Sequence, residues 1–310
     1  MGITRRGLGP LALGAAASLA MSESEGAETL SGVTDCHVHI IGPQSKYPMV
    51  ETRAYTPPQA SVAQLKAMHA RLGVTRTVLV QPSFYGFDNS CMMDALAELG
   101  NNARAVAVVP LTISDAVLRD MDTKGVRGVR LNLETAGNRD PKAIREMLGA
   151  YEKKVAPLNW HIQLYAAISV YQQLVTTIAD MKVPVVIDHY GQPNAAEGFT
   201  KGMAALVDLV HARKAYVKLS APYRISKAGP EYKDVKALAQ TLIYNARDRM
   251  LWGSDWPHTA TTVPGKPITE VTPFQKVDDA GFFNTFKSWY TDPPTQKMIL
   301  VDNAAKLYRF

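Results

Sequence analysis

From residue 31 onward, short runs of β-branched and aliphatic residues alternate with longer stretches in which apolar positions recur every three or four residues. The short runs are "VTDCHVHII" from Val33, "TRTVLVQP" from Thr75, "ARAVAVVPL" from Ala103 and "VRGVRLNL" from Val126. They continue with "WHIQLYA" from Trp160, "VPVVIDHYG" from Val183, "AYVKLS" from Ala215 and "MLWGSDWP" from Met250. Most are near-continuous in Val, Ile and Leu, the composition of strands buried on both faces. The stretches between them, such as "SVAQLKAMHARLG", "NSCMMDALAELGNN" and "ISVYQQLVTTIADMK", carry helical spacing, and several close on Gly or Asn as helix ends do. Eight such units in roughly 280 residues predict a single (β/α)8 barrel. A doubly wound sheet is the alternative, but no Gly-rich phosphate loop follows the first strand. No Pro/Ser-rich linker or break in composition interrupts the pattern, so residues 21–310 read as one domain.

The chain has 310 residues, 46% of them apolar, enough for a sizeable core. The formal charge is +6. Residues 1–20 hold the pair Arg5–Arg6, a weakly apolar Leu/Ala/Gly stretch and "SLA" ending at Ala20, the layout of a cleaved export leader of the twin-arginine type. Its removal leaves 32 basic against 28 acidic side chains, and the expected location is the periplasm. No Lys/Arg run or basic–aromatic stripe points to nucleic acid. Beyond the leader no stretch is long and apolar enough to span a membrane. The expected partner is therefore a small molecule, and a modestly basic protein suits an anionic one. Cys36 and Cys91 make no disulfide framework. Cys36 alternates away from His37 and reads as packing.

In a barrel, chemistry gathers where the strands end, at their C-terminal mouth. The first strand brings His37 and His39, which share a face at i and i+2. The fourth brings Arg130 and Asn132, the fifth Gln163 and Tyr165, the sixth Asp188, His189 and Tyr190. The seventh ends on Lys218 and Ser220, followed by Tyr223 and Arg224; the eighth ends on Ser254, Asp255 and Trp256, followed by His258. Asp188 is expected to point outward, as a supporting or helix-capping group. His69 and His211 lie in helical stretches and read as ordinary surface or interface residues, and His161 begins its strand, the wrong end for catalysis. The long polar stretch from His258 to Asp279 should lie over the mouth.

Taken together, "DCHVHI", "QPSFYGFDN", "GVRLN", "QLY", "VVIDHYG", "YVKLSAPYRIS", "LWGSDWPH" and the terminal "DNAAKLYRF" resemble the amidohydrolase superfamily. More narrowly, they resemble the amidohydrolase-2 group that includes pyrone-dicarboxylate lactonases and galactarolactone isomerases. The resemblance covers nearly the whole mature chain. A binuclear member needs a bridging carboxylated Lys from the fourth strand and a His from the fifth. Arg130 and Gln163 stand there instead, and a guanidinium cannot be deprotonated to ligate. The lactonase resemblance implies a metal-free site; a single Zn held by His37, His39, His189 and Asp255 is the alternative.

The expected reaction is hydrolysis of a lactone of a small carboxylic acid. Asp255 would be the general base for water, and His37, His39 and His189 would polarise the carbonyl through their N–H groups. Arg130, Tyr165, Arg224, Ser83, Gln192 and His258 are the expected substrate-binding residues. Two positions depart from the pyrone lactonases: Gln192 replaces an Arg after the sixth strand, and Glu134 lies where basic residues follow the fourth. Fewer cations favour a monoanionic or neutral lactone over a dicarboxylate. The rival readings are a Zn-dependent hydrolase or non-oxidative decarboxylase of an aromatic acid, a lactone isomerase, and a sugar-acid binding protein without activity.

Overall fold

The computed structural model describes residues 30–137, 139–260, 265 and 267–310, so the leader read at residues 1–20 lies outside the described residues. Within them the eight predicted runs form eight strands: β1 (Thr34–Val38), β2 (Arg76–Val80), β3 (Ala103–Ala107), β4 (Val126–Asn132), β5 (His161–Tyr165), β6 (Val185–Ile187), β7 (Ala215–Ser220) and β8 (Met250–Gly253). All neighbours pair in parallel, in the order β1 to β8. The ends meet through a parallel bridge between Val38 and Trp256, with Asp255 N donating to the His37 carbonyl and His39 N to that of Trp256, both at 2.9 Å. The helices that return the chain are α1 (Val62–Leu72), α2 (Ser90–Leu99), α3 (Asp115–Thr123), α4 (Pro141–Val155), α5 (Ile168–Asp180), α6 (Lys201–His211), α7 (Lys233–Ala246) and α8 (Asp279–Trp289). None is long and apolar enough to cross a membrane. The arrangement is the expected (β/α)8 barrel.

Its boundaries follow local chemistry. Helix α1 starts on a reciprocal cap: Ser61 Oγ accepts from Gln64 N while Gln64 Oε1 accepts from Ser61 N. It stops at Gly73, whose φ of 71° is left-handed. The outward strand residues pack beneath the helices in one large apolar core. Inside the barrel Val78, Val106, Val186, Tyr216 and Leu251 form a second cluster, closed at the N-terminal end of the strands by Ala304 and Tyr308.

Cys36 belongs to that inner cluster, which corrects the expectation that it faces away from His37. Pairing between β1 and β2 skips one position between Asp35 and Val38, a bulge that breaks the alternation. Cys36 is nonetheless packing, as expected: it is fully buried, and burial holds its thiol well above the ordinary range. Cys91 is a free thiol too. Of the two places expected for His69, surface or interface, it takes the second: it is buried, with Nε2 3.2 Å from Asp35 Oδ2 of β1. His211 is exposed, as expected.

Candidate active site

The first and last strands approach closely enough that a side chain at Gly253 would have its Cβ 2.9 Å from His37 Cβ. That contact lets Asp255, just beyond β8, reach under the histidines of β1. Non-glycine residues with left-handed backbones cluster here: His189 (φ 48°), Tyr190 (57°), Ala221 (51°), Asp255 (64°) and His258 (65°) all lie just past the ends of β6, β7 and β8. Such conformations cost energy and survive where surrounding bonds fix them. Ser254, next to Asp255, turns away and donates from both N and Oγ to Asp35, so it forms no triad with the histidines.

Three imidazoles converge on one carboxylate oxygen. Asp255 Oδ1 lies 3.6 Å from His37 Nε2 and 3.8 Å from both His39 Nε2 and His189 Nε2. Among the described residues neither Asp255 Oδ1 nor His37 Nε2 has a hydrogen-bond partner. The other oxygen, Oδ2, accepts from Arg224 Nε and Tyr223 Oη, each at 2.7 Å. Burial opposes charge on Asp255, but Arg224 and the surrounding imidazoles outweigh it and hold the carboxyl well below the usual range. The site thus presents an anionic oxygen, its partner oxygen clamped, facing three ring nitrogens.

The far nitrogen of each ring sets what the near one can do. His39 Nδ1 is 2.7 Å from the Val80 carbonyl, which only accepts, so the proton sits on Nδ1 and the neutral ring offers a lone pair at Nε2. This corrects the expectation that all three rings aim N–H groups at a carbonyl: neutral His39 cannot. His189 Nδ1 pairs with Ser220 Oγ at 2.8 Å. His37 Nδ1 lies 3.4 Å from both Lys218 Nζ and Asp188 Oδ1. Nδ1 thus faces a donor and an acceptor at equal distance; a bond from the ammonium would leave the proton on Nε2, pointing into the site.

Lys218 and Asp188 lie at the centre of a buried network that sequence reading did not foresee. Asp188 is fully buried and points inward, correcting its expected outward role. Its Oδ2 accepts from Arg130 Nε and an Arg130 terminal nitrogen at 3.3 and 3.2 Å, and from Gln163 Nε2 at 3.1 Å. Burial works against its charge; His37, Lys218 and Arg130 overcome it and keep the carboxyl well below the ordinary range. Lys218, also fully buried, donates to Gln163 Oε1 at 2.7 Å, and burial lowers its ammonium to about 8. Burial likewise lowers His37 well below the usual imidazole range, and His39 and His189 to about 4.

These shifts fix an acid limit. Burial also lowers His161 to about 3, so His39, His161 and His189 all have folded values below the unfolded one. Between pH 6.5 and about 4 the unfolded chain binds more protons, so stability falls as pH falls, by up to about 1.4 kcal/mol per pH unit for each ring. Urea denaturation at pH 7.0, 5.5 and 4.5 should show that steep decline; a flat profile would mean the rings are not held neutral.

Above the carboxylate a cavity of about 60 Å³ is lined by His39, Tyr55, Ser83, Arg130, Tyr165, His189, Arg224 and Asp255, among others. The expected residues Ser83, Arg130, Tyr165 and Arg224 therefore meet at its walls, with His37 beneath. Two do not. Gln192 is not part of the lining, and its Nε2 is buried without a partner among the described residues. His258 lies outside it, between Tyr223 Oη at 3.1 Å and Asp279 Oδ1 at 2.9 Å, where it steadies the tyrosine that clamps Asp255. Tyr55 and Tyr223 were not among the expected site residues. Tyr223 carried a signal, its place beside Arg224 after β7; Tyr55 lies in a long loop after β1 whose course no periodicity reveals.

The donor set also fits a single divalent ion: ring nitrogens of His37 and His189 and a carboxylate oxygen of Asp255 lie within 4.8 Å of one another, and the His39 lone pair lies 3.8 Å from Asp255 Oδ1. Among the described residues a second ion finds no ligand set beside it, because Lys218, Arg130 and Gln163 fill the neighbouring space around Asp188.

A 4-sulfomuconolactone hydrolase of Rhizobium radiobacter is 33% identical over 281 residues, covering 89% of this chain and 90% of its own. A 2-pyrone-4,6-dicarboxylate hydrolase of Comamonas testosteroni is 33% identical over 290 residues, 90% of each chain. Among solved structures, a probable 2-pyrone-4,6-dicarboxylic acid hydrolase from Acinetobacter baumannii with citric acid bound superposes with a TM-score of 0.76 at 26% identity, over 90% of this chain and all of that one. The family model described as amidohydrolase matches residues 34–310, and the chain belongs to that family.

Proposed function

We propose that the protein hydrolyses a lactone bearing at most one negative charge. The observation that carries this reading is the presentation of Asp255: Oδ2 is clamped by Arg224 and Tyr223, and Oδ1 is unpaired and opposed by His37 Nε2 at 3.6 Å. Relatives named for lactone hydrolysis, a third identical over nine-tenths of the chain, support it.

In this mechanism Asp255 Oδ1 takes a proton from water as the water oxygen adds to the lactone carbonyl. The His37 Nε2–H, left in place by the Lys218 bond to Nδ1, stabilises the oxygen of the tetrahedral intermediate. The ring C–O bond then breaks, the proton on Asp255 passes to the departing ring oxygen, and a hydroxy acid remains. Arg130 and Arg224 line the cavity, but each faces a carboxylate of the protein, Asp188 and Asp255. With the Lys218 ammonium beneath, three cations face two carboxylates, one net positive charge, which suits a neutral or monoanionic ring over a dicarboxylate.

The His39 lone pair favours a second reading, in which one divalent ion is held by His37, His39, His189 and Asp255. When bound, such an ion would polarise the carbonyl and ease deprotonation of water. The two readings separate on protein purified without chelators: metal content is measured, and acid release from a panel of lactones is followed before and after stripping. Turnover that is unchanged by stripping supports the metal-free route. Stoichiometric metal with loss of turnover supports the ion. Turnover of no lactone by either form would overturn the reaction itself.

A further inference from the structure

Beside the catalytic cavity lies a second one of about 310 Å³, between the ends of β2, β3 and β4 and the inner face of α4. The two share Ser83, Arg130 and Asn132 as common wall. The second is mainly apolar: Val108, Leu131, Leu133, Met147 and Tyr151 line it, and Phe87, 60% exposed, stands at its rim.

We propose that this cavity is a substrate subsite holding a hydrocarbon substituent on the lactone ring. The proposal rests on the lactonase reading and narrows it: the substrate is a ring bearing an alkyl or aryl arm, not a small dicarboxylate. Three features agree. The catalytic cavity, at about 60 Å³, is far smaller than its neighbour. The shared wall places the ring and its arm on either side of Arg130, whose charge Asp188 already meets. The apolar lining rewards carbon, by roughly fourfold in affinity for each buried methylene.

The test is a series of γ-lactones bearing hydrogen, methyl, ethyl, propyl or butyl at the ring, scored by kcat/KM, with Kd for the ring-opened hydroxy acids measured by calorimetry. Both should improve by up to about fourfold per carbon until the cavity is full. In Ala136→Trp, which fills the cavity from an exposed loop position, the butyl-to-hydrogen ratio should collapse toward one. In Met147→Ala the best chain length should increase. Turnover of unsubstituted rings with no length dependence overturns the subsite and leaves the lactonase reading standing. Length-dependent binding without turnover supports the subsite and overturns the reaction. Neither turnover nor length-dependent binding overturns both.

Discussion

Asp255→Asn is expected to lower kcat for lactone opening by about 10³-fold with KM changed by less than about threefold, because the variant removes a base and little binding surface. An asparagine can still accept from Arg224 and Tyr223 with its oxygen, so the loop beyond β8 should keep its course. Its amide nitrogen, though, takes no proton from water. Tyr223→Phe isolates the clamp. It removes one of two donors to Oδ2, so the carboxylate loses stabilisation and its protonation moves to higher pH. The acid limb of kcat/KM, which lies below the usual carboxylate range, should shift upward. Stopped-time acid release across pH 3 to 8 reads both effects. Wild-type turnover in Asp255→Asn would remove Asp255 from the mechanism, and with it the reason the three imidazoles face it.

Most of the barrel was legible because buried parallel strands write themselves as unbroken aliphatic runs. All eight predicted runs contain an observed strand, and the candidate residues at their ends meet for the same reason: a parallel barrel carries every strand end to one mouth. Periodicity says which residues share a face of one element, however, and nothing about which elements bend. The bulge at Asp35–Val38 could not be read from "DCHVHI", and it turns Cys36 inward beside the histidines. Lys218 was visible in "AYVKLS" but had no role, since its partners His37 and Gln163 lie 181 and 55 residues away along the chain. Closure of the barrel, not local pattern, brings an ammonium under the site. The tautomer of His39 was equally out of reach, fixed as it is by a backbone carbonyl on the neighbouring strand.

Asp188→Asn should destabilise the fold by about 3–5 kcal/mol, the largest effect on stability expected of any single change at the site. The buried carboxylate answers two cations, Arg130 at 3.2 Å and Lys218 at 3.7 Å, and an amide of the same shape leaves both uncompensated in the barrel interior. Adding Lys218→Met should restore part of the loss, because one of the two orphaned charges goes with it. The double variant should therefore be more stable than the sum of the single changes predicts. Denaturant unfolding of the four proteins measures the coupling directly. Strict additivity, or an Asp188→Asn variant as stable as wild type, would show that the network carries no charge balance. Lys218→Met alone tests the other half of the argument. Without the ammonium, His37 Nδ1 is left with Asp188 Oδ1 as its one close partner, so the ring proton moves to Nδ1 and Nε2 becomes a lone pair like that of His39. Nitrogen chemical shifts of the labelled imidazole would report that switch, and kcat should fall while KM holds. The same buried lysine thus selects between a ring that donates to a carbonyl and a ring that would ligate a metal, and this is why its charge is worth the carboxylate that balances it.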